Sequence, residues 1–141
     1  MRVPVMTRVL VAAVGVSISV FPLAARQQSE QLRRSIEGEE LFRAYCATCH
    51  RRDGKGNGPT ARVLTTPPAD LTLIAMRNAG TFPRDRVARL IENGGSSTAS
   101  HGSKDMPVWG PIFGGLAPGS NKLINPRIED VVSYVESIQV R

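Results

Sequence analysis

Five consecutive residues carry most of the chemistry in this chain: Cys46, Ala47, Thr48, Cys49 and His50. Two thiols separated by two residues and followed at once by an imidazole form the C-x-x-C-H pattern of covalent c-type haem attachment. The spacing has a chemical reason. Each thiol adds across one of the two vinyl groups of a haem to give a thioether. The histidine beside the second thioether is then delivered to the iron as its proximal ligand. Cys46 and Cys49 are the only cysteines in 141 residues, so no other thiol is available to pair with them.

Three other uses of these residues compete with haem. A zinc site wants four ligands, typically in two clusters, and the chain has only one further histidine, His101. A thioredoxin-like pair sits after a strand at a helix start within a βαβ pattern, and none surrounds this motif. A disulfide across so short a loop adds little stability and gives His50 no role.

An iron site with one histidine needs a sixth ligand, and downstream of the N-terminal segment the donors are Met76, His101 and Met106. Met106 lies in Lys104-Asp105-Met106-Pro107-Val108-Trp109-Gly110-Pro111, a loop stiffened by two prolines. Such a loop holds a weakly bound thioether without paying its ordering entropy afresh, and we assign Met106 as the distal ligand. Met76 lies beside Leu73 and Ile74, where a methionine more commonly fills core. His101, next to Gly102 in a Gly/Ser-rich stretch, reads as an exposed loop histidine. As a ligand it would lower the potential relative to His/Met, because a thioether favours ferrous iron. Trp109 is expected on the haem edge, its indole N–H reaching a propionate or a backbone carbonyl; simple core filling is the alternative.

The elements that must position these groups begin after an export segment. Arg2 and Arg8 flank a start without acids, Val9 to Val20 is almost wholly apolar, and Phe21-Pro22-Leu23-Ala24-Ala25 ends in small residues. This is the order of a secretory signal peptide, expected over residues 1–25 with cleavage after Ala24 or Ala25. The apolar core is short for a membrane span, which needs about 20 residues; an uncleaved anchor is the alternative. Either way the chain is expected outside the cytoplasm, in the periplasm. Residues 26–34 (RQQSEQLRR) lack an apolar period and read as a polar linker. Residues 35–141 form one domain, with no internal repeat.

With 5% aromatics, 13 glycines and 10 prolines, that domain is poor in its own core. A large apolar haem supplies what the side chains lack. The formal charge of +6 falls by two when Arg2 and Arg8 leave. No basic repeat with interleaved aromatics points to nucleic acid, whereas a modest positive balance suits an electrostatically steered protein partner.

The first helix is expected from Ile36 to Cys46, N-capped by Ser35, with Glu37, Glu39 and Glu40 in its first turns. Leu41, Phe42 and Tyr45 mark its buried face, and Gly38 permits close approach of another helix. After His50, three glycines in five positions (Gly54 to Gly58) make a loop able to lie against a flat ligand. A residue of this loop is expected to accept a hydrogen bond from the second nitrogen of His50, fixing the ring. A turn at Asp70 leads to a short helix to Met76. The next helix is capped near Thr81, shows Val87, Leu90 and Ile91 on one face and ends at Asn93-Gly94. The last runs from Pro126 or Arg127 to Ile138, capped by Asn125, with Ile128, Val131, Val132, Val135 and Ile138 inward.

Gly38-x-x-x-Phe42, Cys46-x-x-Cys49-His50, the Gly-rich loop to Pro59, Met106-Pro107-Val108-Trp109 and the Val131 to Tyr134 helix occur in that order. Together they resemble small monohaem class I cytochromes c, in particular bacterial ones with an M-P-x-W-G type distal loop. The resemblance covers Ser35 to Ile138. It implies an all-α cytochrome c fold, three to five helices around one covalently bound haem. The first and last helices would cross near Gly38, Phe42 and Tyr134. It also implies iron held by His50 and Met106, and the Pro59 carbonyl as the partner of His50. Pro59 follows His50 by nine residues, fewer than in mitochondrial cytochromes c.

The function expected is one-electron carriage, with no residue acting as acid, base or nucleophile. Arg43, Arg51, Arg52, Lys55 and Arg62 are placed in sequence to rim the haem edge, either as a steering patch or as ordinary solvated charges. The partner is a redox protein, and a membrane respiratory or dehydrogenase complex is one form of it. A haem subunit docked to such an oxidoreductase is the second expectation. A sensor or enzyme with an open sixth position is the third, and it requires that Met106 not bind.

Overall fold

The computed structural model describes residues 21–97, 105–115 and 125–140. Most of the expected export segment, and the rival ligand His101, lie outside these described residues.

Phe21 to His50 is one continuous rod in three parts: α1 (Phe21–Leu41), a π-helical turn (Phe42–Cys46) and α2 (Ala47–His50). The helix therefore does not begin at Ser35, and the segment 26–34, expected as a linker, forms outer turns of α1. Its composition explains the difference. Arg, Gln, Glu and Leu are good helix formers, and ion pairs one turn apart join Arg33 to Glu30 (2.8 Å) and Arg34 to Glu30 (3.1 Å). Residues 23–33 are all exposed. The missing apolar period reports missing packing, not missing helix.

The rest of the described fold is a 3₁₀ turn (Ala61–Val63), a second (Leu71–Leu73) running into α3 (Ile74–Arg77), then α4 (Arg84–Asn93) with a 3₁₀ turn after it (Gly94–Ser97), α5 (Gly110–Gly115) and α6 (Pro126–Ser137). Counting the rod once, the described residues hold five helical bodies and no strand, an all-α architecture as expected. Asp70 caps the Leu71 turn by accepting from the Thr72 backbone N–H at 2.9 Å. Asn125 caps α6 by accepting from the Arg127 N–H at 3.0 Å. Thr81 does not cap α4. Pro83 takes the N-cap position there without a side-chain bond.

The core forms where α1 crosses α6. A Cβ on Gly38 would stand 1.9 Å from the Asp130 carbonyl oxygen and 3.0 Å from the Tyr134 Cβ, so only a residue without a side chain lets the rods touch. Phe42 follows one turn later, its ring centroid 5.1 Å from that of Tyr134. Phe42, Phe113, Ile128, Val131 and Val132 are essentially without solvent contact, each contributing about 1.5–3 kcal/mol of burial. Val87, Ala88 and Ile91 bring α4 against them. Arg84 adds a polar stitch between α4 and α6 through Glu129 at 3.2 Å, Ser133 at 3.1 Å and Glu136. Cys46, Ala47, Leu71, Ile74, Met106 and Trp109 are partly buried against this core. Cys46, Met106 and Trp109 are thus anchored directly to the core.

Candidate metal centre

Cys46 closes the π-helical turn, and Cys49 and His50 occupy the single turn of α2. Both thiols are free and half-buried. Burial, helped by the neighbouring Cys49, pushes the Cys46 thiol up to about 12, so it stays protonated. The Cys49 sulfur lies 3.2 Å from the Thr60 hydroxyl, which itself donates to the Thr48 carbonyl at 2.8 Å. With the hydroxyl proton committed to that carbonyl, Cys49 is the donor of the pair.

The His50 Nδ1–H donates to the carbonyl of Ala69 at 3.1 Å. The residues pointed to a carbonyl of the Gly-rich loop and the family resemblance to that of Pro59; in the structure Pro59 is exposed, and the accepting carbonyl comes from ten residues further on. The reason lies in the backbone. Pro67 and Pro68 keep their segment extended, leaving the next carbonyl free to face the imidazole. Burial lowers the pKa of His50, and the bond to Ala69 only partly opposes it. A neutral ring with Nδ1 occupied presents the Nε2 lone pair, which is the form that binds a metal.

The loop after His50 is built around the last carbonyls of α2, which have no partner inside the helix. Thr48, Cys49 and His50 accept from the N–H groups of Thr60 (3.1 Å), Gly58 (2.9 Å) and Gly56 (3.0 Å). The glycines are required by this backbone packing. A Cβ on Gly56 would stand 2.2 Å from the Pro68 carbonyl oxygen, and one on Gly58 2.4 Å from that of Thr48. At these two positions the loop meets protein backbone. Reversing the chain after α2 forces Arg51 to φ 61° and ψ 162°, a region that glycine alone occupies without strain. Tyr134 ties α6 to this reversal, its hydroxyl donating to the Arg52 carbonyl at 3.4 Å.

The Met106 side chain is half-buried against the central cluster, and the Trp109 backbone N–H donates to the Ile91 carbonyl at 3.1 Å. A Cβ on Gly94, at the end of α4, would meet the Met106 carbonyl oxygen at 2.9 Å. The Thr66 N–H reaches the Asp105 carboxylate at a long 3.4 Å. That contact links the Met106 loop to the segment that holds His50. Met76, expected in the core, is 60% exposed, because one-turn α3 buries Ala75 instead. The Trp109 ring stacks on Phe113 at 5.5 Å and meets Tyr45 at 5.7 Å. Arg43, Arg51, Arg52, Lys55 and Arg62 are all exposed; Arg43 pairs with Glu39 and Arg51 with Asp53 at 3.7 Å.

Sequence reasoning missed Ala69, Thr60 and Phe113. A backbone carbonyl has no residue signature, although the Pro-Pro pair marked where an unpaired one would lie. Among the described residues no three His, Cys, Asp or Glu side chains gather as a metal cluster, and no helix is long and apolar enough to cross a membrane. Two free thiols and a pre-oriented neutral imidazole on successive turns are the donor set that covalent haem attachment requires. The residues fit the group.

The sequence model of the family described as cytochrome c oxidase, cbb3-type, subunit III matches residues 34–115, more than half of the chain and including Cys46, Cys49 and His50. The fructose dehydrogenase cytochrome subunit of Gluconobacter japonicus is 28% identical over 96 residues, 67% of this chain but only 18% of that protein's length. No solved structure matches the chain. Haem c with its iron is the cofactor these relationships support, and electron transfer the task. The chain belongs to the cbb3-type cytochrome c oxidase subunit III family of c-type cytochrome domains.

Proposed function

We propose that this chain is a periplasmic one-electron carrier with a single haem c, tethered through Cys46 and Cys49 and ligated by His50 and Met106. The observation that carries the reading is the attachment turn, with both thiols unpaired and His50 Nδ1 already bound to Ala69. When bound, the haem supplies an iron that exchanges one electron between ferric and ferrous states. The chain's own residues then have positioning tasks. Ala69 fixes the rotation of the His50 ring and leaves Nε2 as the donor. Before attachment, Thr60 orients the Cys49 thiol by accepting its S–H. The proline-flanked loop, set against Gly94 and Ile91, limits where the Met106 thioether can go. A single C-x-x-C-H motif supports one haem, and the apolar N-terminal segment supports export.

The test is the optical spectrum of the protein matured in cells that attach haem c. A low-spin ferric spectrum with a thioether–iron charge-transfer band, lost in Met106→Ala, is expected. A high-spin ferric spectrum would overturn Met106 ligation and favour a site with an open sixth position.

A second reading, a haem subunit docked to an oxidoreductase, has a specific observation in its favour. Both comparisons name subunits, one of an oxidase and one of a dehydrogenase, and the chain spans less than a fifth of the latter relative. Cell fractionation with N-terminal sequencing of the mature protein separates the two. A soluble, processed protein supports the free carrier, and retention with a membrane complex supports the subunit.

A further inference from the structure

Phe42 and Tyr45 stand three residues apart, a spacing that places side chains on one face of an α-helix. Here they serve different partners. Phe42 packs on Tyr134 of α6. Tyr45 makes T-shaped contacts with Trp109 at 5.7 Å and 66° and with Phe113 at 5.4 Å and 81°. The π-helical turn accounts for the divergence. The Ala47 N–H donates to the Phe42 carbonyl five residues back, and this wider turn spreads the two side chains around the rod. Such turns frequently lie at functional sites.

The three rings connect two parts of the proposed iron site. Tyr45 is bonded directly to Cys46, and Trp109 lies three residues after Met106. Phe113 is fully buried and stacks on Trp109, so the far end of the cluster is fixed in the core. We infer that Tyr45 is a positioning residue for the distal ligand, its ring clamping the 106–113 segment to the haem-attachment turn so that the Met106 thioether stays within reach of the iron. This rests on the reading of Met106 as the distal ligand. Tyr45 is 37% exposed, so it contributes less as core filling than as an edge contact.

The thioether–iron charge-transfer band of the ferric holoprotein, followed with temperature, tests the inference. Tyr45→Leu keeps an apolar helix former but removes two edge-to-face contacts. It is expected to shift the equilibrium about tenfold toward the methionine-dissociated form. Tyr45→Phe, which keeps the ring, is expected to match the wild type. An unchanged band in Tyr45→Leu, or an equal loss in Tyr45→Phe, overturns the clamp while leaving Met106 as ligand. A wild-type band that survives Met106→Ala removes the ligand assignment itself, and the inference with it. Independently of any variant's folding, ferrous holoprotein without nuclear Overhauser contacts between the Tyr45 ring and the Trp109 indole also overturns it.

Discussion

Gly38 and Gly56 meet the same kind of obstacle in two differently built regions. A Cβ on Gly38 would lie 1.9 Å from one carbonyl oxygen, that of Asp130, and a Cβ on Gly56 2.2 Å from another, that of Pro68. At Gly38 the obstacle joins two helices, α1 and α6, and an apolar row runs along α6. At Gly56 it joins two loop backbones, and the neighbouring carbonyl is the one that holds His50. Close approach in the first region sets stability; in the second it sets the direction of an imidazole. The crossing is secured by buried side chains, and the attachment side by hydrogen bonds between main-chain groups.

The largest effect should come from Gly38→Ala. Alanine's helix preference is worth about 1 kcal/mol, but the clash requires the rods to part. A net loss of about 3 kcal/mol in denaturant unfolding is expected, with the spectrum of the surviving folded protein unchanged. Gly56→Ala meets both the Pro68 carbonyl and a backbone at φ 78°. It should cost about 2 kcal/mol, yet shift the reduction potential and histidine-sensitive haem resonances. If Gly38→Ala alters those signals and Gly56→Ala does not, the division between the two regions is wrong.

Arg51→Gly should act in the opposite direction. Releasing the strained φ outweighs glycine's extra chain entropy and raises stability by about 1 kcal/mol, read as a higher denaturation midpoint. The smallest effect belongs to the outer turns of α1. Arg33 and Arg34 hold the Glu30 carboxyl down to about 2, so the pairing is present above the ordinary carboxylate range and is lost as pH falls toward that value. Because Glu30 is fully exposed, Glu30→Gln should leave the global midpoint unmoved and quicken amide exchange only in the outer α1. A change in global stability would mean that these turns pack on something.

Much of the crossing was legible because it depends on side chains at helical intervals. Asn125, Ile128, Val131 and Val132 declared α6 by cap and stripe, and Gly38 with Phe42 declared where it would meet its partner. The outer turns of α1 were illegible for a physical reason: charge pairs and propensity build a helix without any apolar period. On the attachment side, Cys46, Cys49 and His50 were legible as a motif. Their supports were not, since Ala69 acts through a carbonyl that any residue carries and the arrangement of Thr60 depends on a loop reversal. The π-helical turn has no sequence signature at all, and with it went the pairing of Tyr45 with Trp109 and Phe113.

The unbroken rod from Phe21 to His50 has a mechanical consequence. A flexible lead would let the redox group wander; a helix is a ruler, about 1.5 Å for each residue. Whatever grips the chain near residue 26, just past the expected cleavage point, also sets the height of His50 and the compass bearing of its ring. Lengthening the exposed turns by one residue would raise the site by about 1.5 Å and swing it by roughly 100°. In this molecule reach and heading cannot be adjusted separately.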